Sequence, residues 1–300
     1  MTTVSVLFPS SFPRDEIQIE QARDSLESHS AGLCFHWPRS LRARGREDHT
    51  DYLAGSDQDR CEEIVEFLTS AFGIAWFGRG GFGLTRILHL LEPRVRSLNL
   101  APKRWMGYSD ITALFALCKS LKLSVECVHG PMLCAFPRQP NKETVLQALR
   151  GKAAPIPLAE ASPDLEFHGT IWGGNLAVLA SLAGTPWLPT PEAGSAVLLE
   201  DVDEAPYRVD RYLTQLFHSG FFSQTRKVFL GTFTGFEPAS AVYEVAQKRC
   251  QELGLRLLGR IPIGHSEPHT PLFLDKPYRF SPTQRCLNPN FSTLEVSHVL

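Results

Sequence analysis

One stretch of the chain indicates the fold class more clearly than any other, namely IAWFGRGGFG, residues 74–83. Its four apolar residues are typical of a short buried strand, and the glycines that follow are typical of a tight turn. Residues 84–91 predict a helix after that turn, and Pro93 should end it because proline lacks a backbone N–H. A strand, a glycine loop and a helix in this order predict one unit of an α/β fold.

The same alternation of strands and helices recurs along the chain and predicts mostly parallel sheets. Further strands are predicted at residues 4–8, 103–107, 197–199 and 227–230, and further helices at 57–72, from the turn at Ser109 to residue 121, at 142–150 and at 239–253. We therefore expect two α/β domains. The first, over residues 1–150, should be flavodoxin-like or Rossmann-like, and a Pro/Ala-rich linker over 151–168 should lead to a smaller C-terminal α/β domain over 169–300. Residues 38–60 predict an exposed loop, and residues 275–300 have little strand character.

Composition excludes several classes of function. A formal net charge of -2 and a pI near 6.6 give no electrostatic basis for binding nucleic acid or an anionic membrane. No apolar run approaches the roughly 20 residues of a membrane span, and the N-terminus has no basic segment of a signal peptide. Seven cysteines without a CxxC pair predict neither a disulfide framework nor a zinc site. We expect a cytoplasmic protein that needs no metal or cofactor.

Ser109 follows Gly107-Tyr108 and precedes Asp110 and the apolar run 111–117. A serine between a glycine and the start of a helix can expose its hydroxyl beside unpaired backbone N–H groups. This arrangement predicts a nucleophile with half of an oxyanion hole. The alternative is that Ser109 only caps the helix, because serine and aspartate are preferred at that position.

The glycine loop also allows more than one interpretation. Gly78, Gly80 and Gly83 fit the dinucleotide-binding pattern G-x-G-x-x-G, but residues 99–104 contain no acid that could bind a ribose. The loop could instead supply backbone N–H donors to a developing oxyanion. It could also be a tight turn without a further role.

Two more segments carry candidate catalytic side chains. Glu200 ends a buried apolar run, where a carboxylate is well placed to orient a histidine, whereas Glu204 is better explained as a helix cap or a surface ion pair. His265 follows Gly264, which permits close backbone approach. A metal site at His265 and His269 lacks further ligands. His129 is a second histidine that could line a site.

Read in order, these segments resemble the LD-carboxypeptidase family of serine peptidases, which includes the microcin C immunity proteins. The resemblance extends over most of the chain and rests on seven segments. These are Val6 to Ser11, Tyr52 to Asp57, Gly78 to Gly83, Gly107 to Thr112, Gly173-Gly174-Asn175-Leu176, Leu199 to Val202 with Tyr207 to Arg211, and Pro262 to His265. The chain departs from the family pattern after His265, where Ser266 stands in place of the more usual glycine.

The resemblance implies a triad in which Ser109 is the nucleophile, His265 the general base and acid, and Glu200 the residue that orients the imidazole. It implies an oxyanion hole from the backbone N–H groups of Asp110 and of Gly81 or Gly80. The implied substrate is a small murein peptide that loses a terminal D-alanine, and the implied assembly is a homodimer. Arg79 and Arg208 are the candidate cations for the substrate carboxylate.

Two alternatives stay open at this stage. One keeps the triad and changes the substrate to a peptidyl-nucleotide amide, as in the microcin C immunity branch of the family. The other is a non-catalytic nucleotide-binding α/β module that uses the glycine loop. Asn175, before a predicted helix, could cap that helix or donate to a substrate carbonyl, and capping is the commoner role.

Overall fold

The computed structural model of the protein describes residues 2–13, 15–30, 32–38 and 52–292. Within these residues the strands form two sheets, of six and eight strands, with helices packed against them. The predicted α/β class is therefore confirmed. The central part of the predicted exposed loop, residues 39–51, lies outside the described residues.

The first sheet contains five parallel strands in the spatial order β2-β1-β3-β4-β5. Its strands are β1 (Thr2–Leu7), β2 (Leu33–His36), β3 (Ile74–Phe77), β4 (Lys103–Gly107) and β5 (Val125–His129). The helices of this region are α1 (Ile17–His29), α2 (Asp57–Thr69), α3 (Leu84–Arg96), α4 (Thr112–Leu121) and α5 (Lys142–Leu149). This order is the flavodoxin-like one, in which ligands bind beyond the carboxyl ends of the strands, near the point where the strand order reverses.

The second sheet has four parallel strands at its centre and antiparallel strands at both edges, in the order β6-β14-β13-β8-β9-β10-β11-β7. Its region contains β6 (Ile156–Pro157), β7 (Glu160–Ala161), β8 (His168–Asn175), α6 (Leu176–Ser181), β9 (Ala196–Val202), α7 (Pro206–His218), β10 (Lys227–Thr234), α8 (Ala239–Glu252), β11 (Arg256–Gly264), β12 (Leu272–Phe273), β13 (Pro277–Ser281) and β14 (Cys286–Pro289). The segment predicted as a linker thus contributes β6 and β7 to this sheet.

After β11 the chain leaves the second sheet, and the short strand β12 joins the edge of the first sheet. It pairs antiparallel with β5, and Leu272 lies opposite His129. The chain therefore crosses from the end of β11 at Gly264 to the edge of the first sheet at Leu272. His265 lies on this crossing segment, so its position depends on both sheets.

Helix α4 packs between the two sheets. Its residues from Thr112 to Cys118 are all buried, which explains why this helix is apolar on every side. The Thr112 hydroxyl oxygen accepts a hydrogen bond of 3.1 Å from the backbone N–H of Asn175, at the end of β8. The turn that precedes α4 is thereby fixed against the second sheet.

Two predictions about secondary structure are wrong. Helix α3 does not end before Pro93 but continues to Arg96, because Leu91 and Val95 are buried and their packing outweighs the loss of one backbone hydrogen bond. The C-terminal region is not poor in strands, since β13 and β14 form an antiparallel pair. Tyr278 and Leu287 anchor that pair in the core with fully buried side chains.

Candidate active site

Ser109 lies in the turn between β4 and α4, with a left-handed backbone conformation at φ 59°. A non-glycine residue in this conformation is strained, and such strain occurs at turns that expose a nucleophile. A Cβ atom placed on Gly80 would lie 3.1 Å from the Ser109 Oγ atom. The glycine loop after β3 therefore packs directly against the Ser109 hydroxyl, at the carboxyl ends of two neighbouring strands.

Ser11, in the loop after β1, holds the glycine loop in place. Its backbone N–H donates to the Gly80 carbonyl at 3.1 Å, and its hydroxyl oxygen accepts from the Phe82 N–H at 3.3 Å. Gly81 lies between these two bonds with φ 104°, and a Cβ atom there would collide with the Ser11 side chain. Among the residues that the structure describes, the Gly81 N–H donates to no other group, so it is available to a ligand.

The Asp110 side chain joins the three loops of this region. Its carboxylate accepts hydrogen bonds from the Ser10 hydroxyl and, at 3.0 Å, from the Leu84 backbone N–H. Burial raises the pKa of Asp110 to about 6, although both hydrogen bonds favour the charged form. Its role in an oxyanion hole could therefore come only from its backbone N–H.

Glu200 and His265 come together from β9 and from the end of β11. The His265 Nδ1 atom lies 2.8 Å from Glu200 Oε2, and the Glu200 side chain is fully buried. Gly264 permits this approach, because its φ is 133° and a Cβ atom there would lie 2.7 Å from Glu200 Oε2. Glycine before the histidine is therefore a geometric requirement of the pair.

The charges of this pair support each other. Burial acts to raise the pKa of Glu200, but the positive charge of His265, its hydrogen bond and the nearby His129 ring outweigh it and hold the pKa at about 2. Burial acts to lower the pKa of His265, but the Glu200 carboxylate outweighs it and raises that pKa. Glu200 is therefore ionised in the folded protein, and its charge stabilises an imidazolium at His265.

Tyr108 connects the Ser109 turn to the histidine. Its ring centroid lies 4.7 Å from that of His265 and 4.9 Å from that of His269. Because Tyr108 and Ser109 are neighbours in the chain, this packing brings the turn of the candidate nucleophile beside the candidate base. The Ser109 turn follows a strand of the first sheet and His265 follows a strand of the second, so the site lies between the two sheets.

Two further histidines surround Glu200. The His129 Nε2 atom lies 3.6 Å from Glu200 Oε1, and the His129 Nδ1 atom lies 3.2 Å from His269 Nε2. Sequence patterns indicate His129 only as a residue that could line a site, and they indicate His269 only as a possible metal ligand. The described residues contain no group of three or more His, Cys, Asp or Glu side chains suited to a metal.

The remaining candidates have other partners. Arg79 donates to the Phe12 carbonyl at 2.7 Å and is half-buried. Arg208 is exposed on α7, where its guanidinium lies 3.5 Å from Glu204. Asn175 caps α6 through its side-chain oxygen, which accepts from the Val178 N–H at 3.0 Å. The expected capping role of Asn175 is thus confirmed.

No helix of the described residues is long and apolar enough to cross a membrane.

Comparison with protein families matches both halves of the chain to one family. Residues 4–130 match the LD-carboxypeptidase N-terminal domain, and residues 168–280 match the LD-carboxypeptidase C-terminal domain. The chain belongs to the LD-carboxypeptidase family. This assignment confirms the resemblance seen in the sequence and makes the protein a peptidase. A peptidase family gives no support to the alternative of a non-catalytic nucleotide-binding module.

Relatives of this LD-carboxypeptidase family member cover nearly the same length. A murein tetrapeptide carboxypeptidase of Pseudomonas aeruginosa is 28% identical over 280 residues, which cover 87% of each chain. The crystal structure of a muramoyltetrapeptide carboxypeptidase from Oxalobacter formigenes is 25% identical, with a TM-score of 0.76 over 96% of this chain and 100% of the other. The microcin C7 self immunity protein MccF, in a complex with aspartyl sulfamoyl adenosine, shares the fold at 19% identity, with a TM-score of 0.80 over 98% and 97% of the two chains.

Proposed function

We propose that the protein is a serine-type L,D-carboxypeptidase that releases the terminal D-alanine from a murein tetrapeptide. The proposal rests above all on the hydrogen bond of 2.8 Å between His265 and the buried Glu200, beside the strained Ser109 turn. The names of the relatives from Pseudomonas and Oxalobacter support a murein peptide as the substrate class. A hydrolase with this triad needs no metal or cofactor.

In the proposed first step, the Ser109 Oγ atom attacks the carbonyl carbon of the L,D-peptide bond. The Ser109 proton passes to His265 Nε2, and Glu200 stabilises the imidazolium that forms. The backbone N–H groups of Gly81 and Asp110, with Gly80 beside them, are proposed to bind the oxyanion. Loss of one such donor typically costs about 10²–10³ in kcat.

In the proposed second half, the tetrahedral intermediate collapses and the C–N bond breaks. His265 returns its proton to the leaving nitrogen, so that D-alanine departs with a free amine and Ser109 keeps the acyl group as an ester. Water then attacks the ester carbonyl, gives its proton to His265 and releases the shortened peptide as a carboxylate. Ser109 regains its proton from His265, and the cycle is complete.

The free carboxylate of the substrate calls for a cation near the glycine loop. We keep Arg79 and Arg208 as the candidates, and we favour Arg79, since it precedes Gly80 in the loop that packs on Ser109. Substitution of the correct arginine by methionine should raise KM more than it lowers kcat. The same substitution at the other arginine is the matched control.

The experiment that tests the proposed function is detection of D-alanine by mass spectrometry after incubation with a murein tetrapeptide. We expect release by the wild type and none by Ser109→Ala. A fluorophosphonate probe should label the wild type and Ser266→Ala but not Ser109→Ala, and full labelling of Ser109→Ala would refute the assigned nucleophile. If labelling occurs without D-alanine release, the substrate assignment is wrong, and a peptidyl-nucleotide amide is the next substrate to test.

We also propose that the protein acts in the cytoplasm on recycled murein peptides and that it forms a homodimer, as the family resemblance implies. The mass of one chain is 33.4 kDa. Light scattering on the purified protein should therefore give about twice this mass. Cell fractionation with antibody detection tests the compartment.

A further inference from the structure

Glu200 faces an imidazole on each of its two carboxylate oxygens. Oε2 is hydrogen-bonded to His265, whereas Oε1 lies 3.6 Å from the Nε2 atom of His129. Both Glu200 Oε1 and His129 Nε2 are buried, and neither has a hydrogen-bond partner among the described residues. Two buried polar atoms that face each other without any other partner are expected to form a hydrogen bond, and a small rotation of either side chain closes the gap.

The direction of that bond follows from the chemistry of the groups. A charged carboxylate only accepts hydrogen bonds, so His129 must carry a proton on Nε2. When His129 is neutral, its Nδ1 atom is then an acceptor, and His269 Nε2, which lies 3.2 Å away, must donate to it. Burial lowers the pKa of His269 well below its usual value, which is consistent with a neutral His269 that has one proton to place.

We propose that His129 is a positioning residue that donates from Nε2 to the second oxygen of Glu200, and that His269 holds His129 in this tautomer. The proposal rests on the proposed function, because it concerns the acid that orients His265. Glu200 is then fixed at both oxygens, and part of its negative charge is balanced by His129. His129 needs no contact with the substrate for this role, since it acts through Glu200.

The surroundings of His265 define which groups influence its protonation. Strand β9 and the turn after it contribute Glu200, Asp201 and Asp203, the Ser109 turn contributes Tyr108, and the segments around β5 and β12 contribute His129 and His269. Of these, only Glu200 is hydrogen-bonded to His265. A change at His129 should therefore reach His265 through Glu200.

The first test compares the pH dependence of kcat/KM for D-alanine release by the wild type, His129→Phe and His129→Gln. Loss of the donor leaves the Glu200 charge less balanced, so the imidazolium at His265 is favoured and the acidic limb moves to higher pH. We expect a shift of about one pH unit for His129→Phe, in line with the effect of a hydrogen bond on a neighbouring charge. The glutamine amide can place a donor near the position of Nε2, so His129→Gln should restore most of the wild-type profile.

The active fraction of each variant is measured by labelling Ser109 with a fluorophosphonate, because partial unfolding changes the amplitude of the profile but not its midpoint. An unshifted acidic limb in His129→Phe, or equal shifts in both variants, would overturn the role of His129. The proposed function would still stand in that case, since it depends on D-alanine release and on Ser109→Ala.

A second test takes its readout from the wild type. Long-range ¹H–¹⁵N spectra of protein labelled at histidine report which ring nitrogen carries the proton. We expect the Nε2–H tautomer at both His129 and His269, with single His→Gln variants used only to assign signals. An Nδ1–H tautomer at His129 would refute the proposal.

Discussion

Replacement of Glu200 by glutamine is the perturbation whose effect on catalysis follows most directly from the geometry. The substitution keeps the size of the side chain and removes its charge. In the proposed mechanism that charge acts on the imidazolium that forms at His265 during attack. The two groups are 2.8 Å apart, and the Glu200 side chain is fully buried.

The size of the effect can be worked from that distance. Two unit charges 2.8 Å apart attract each other by about 6 kcal/mol at an effective dielectric constant of about 20. The amide oxygen of a glutamine keeps part of this attraction through its dipole. The glutamine side chain can accept a hydrogen bond from His265 or from His129 but not from both, because its NH2 group is a donor. We therefore expect kcat to fall by about 10⁴, the size of the effect when an orienting acid is replaced by its amide.

The assay is D-alanine release under saturating substrate, with Glu204→Gln as the matched control. Glu204 lies four residues further along and contacts the exposed Arg208 at 3.5 Å, an interaction worth about 0–1 kcal/mol. Its variant should keep kcat within about twofold. If Glu200→Gln retains more than about a tenth of the wild-type kcat, or if the two variants are impaired alike, the reasoning from the buried pair is wrong.

Three further predictions concern the loop and two buried carboxylates. Gly80→Ala places a Cβ atom 3.1 Å from Ser109 Oγ, so kcat/KM should fall up to about 10²-fold with little change in Tm, measured by D-alanine release and thermal unfolding. Burial raises the pKa of Asp201 from 3.8 to about 7, so its contribution to stability is lost as pH rises through 7. Asp201→Asn should therefore gain stability relative to the wild type between pH 4 and pH 8 in urea unfolding, and a constant difference would refute this. Glu126→Gln breaks a buried ion pair with Arg104 and should cost about 3–5 kcal/mol in the same assay, whereas a cost below about 1 kcal/mol would contradict it.

The parts of the fold that the sequence predicts well are those with a local signal. Strand β3, the glycine loop and helix α4 are marked by short apolar runs and by glycines within a few residues of one another. Helix α1 and strand β2 have weaker patterns, because each buries only one face or alternate residues, and they were not predicted. The sequence near Pro93 predicts the end of α3 wrongly, because the packing of Val95 in the folded protein decides where the helix ends.

The candidate site divides in the same way. Ser109 comes just after β4, His265 comes directly after β11, and Glu200 lies in β9 at the end of a buried apolar run; these local signals single them out from the other serines, acids and histidines. The contact between His129 and Glu200 has no such signal, because 71 positions separate the two residues and the contact depends on how the sheets meet. Nor can a sequence show that the Arg79 side chain reaches back to the Phe12 carbonyl.

The return of β12 to the first sheet explains why the two halves of the site come together. Leu272 pairs with His129 on β5, so the segment that begins at His265 is fixed at one end to β11 and at the other end to the first sheet. His269, between these ends, meets His129, and the Asn141 side chain donates to the His269 carbonyl at 3.2 Å. A hydrogen bond weakened in this segment would let His265 move relative to the Ser109 turn without unfolding either sheet. The geometry of the proposed triad therefore depends on the stability of a short strand pair.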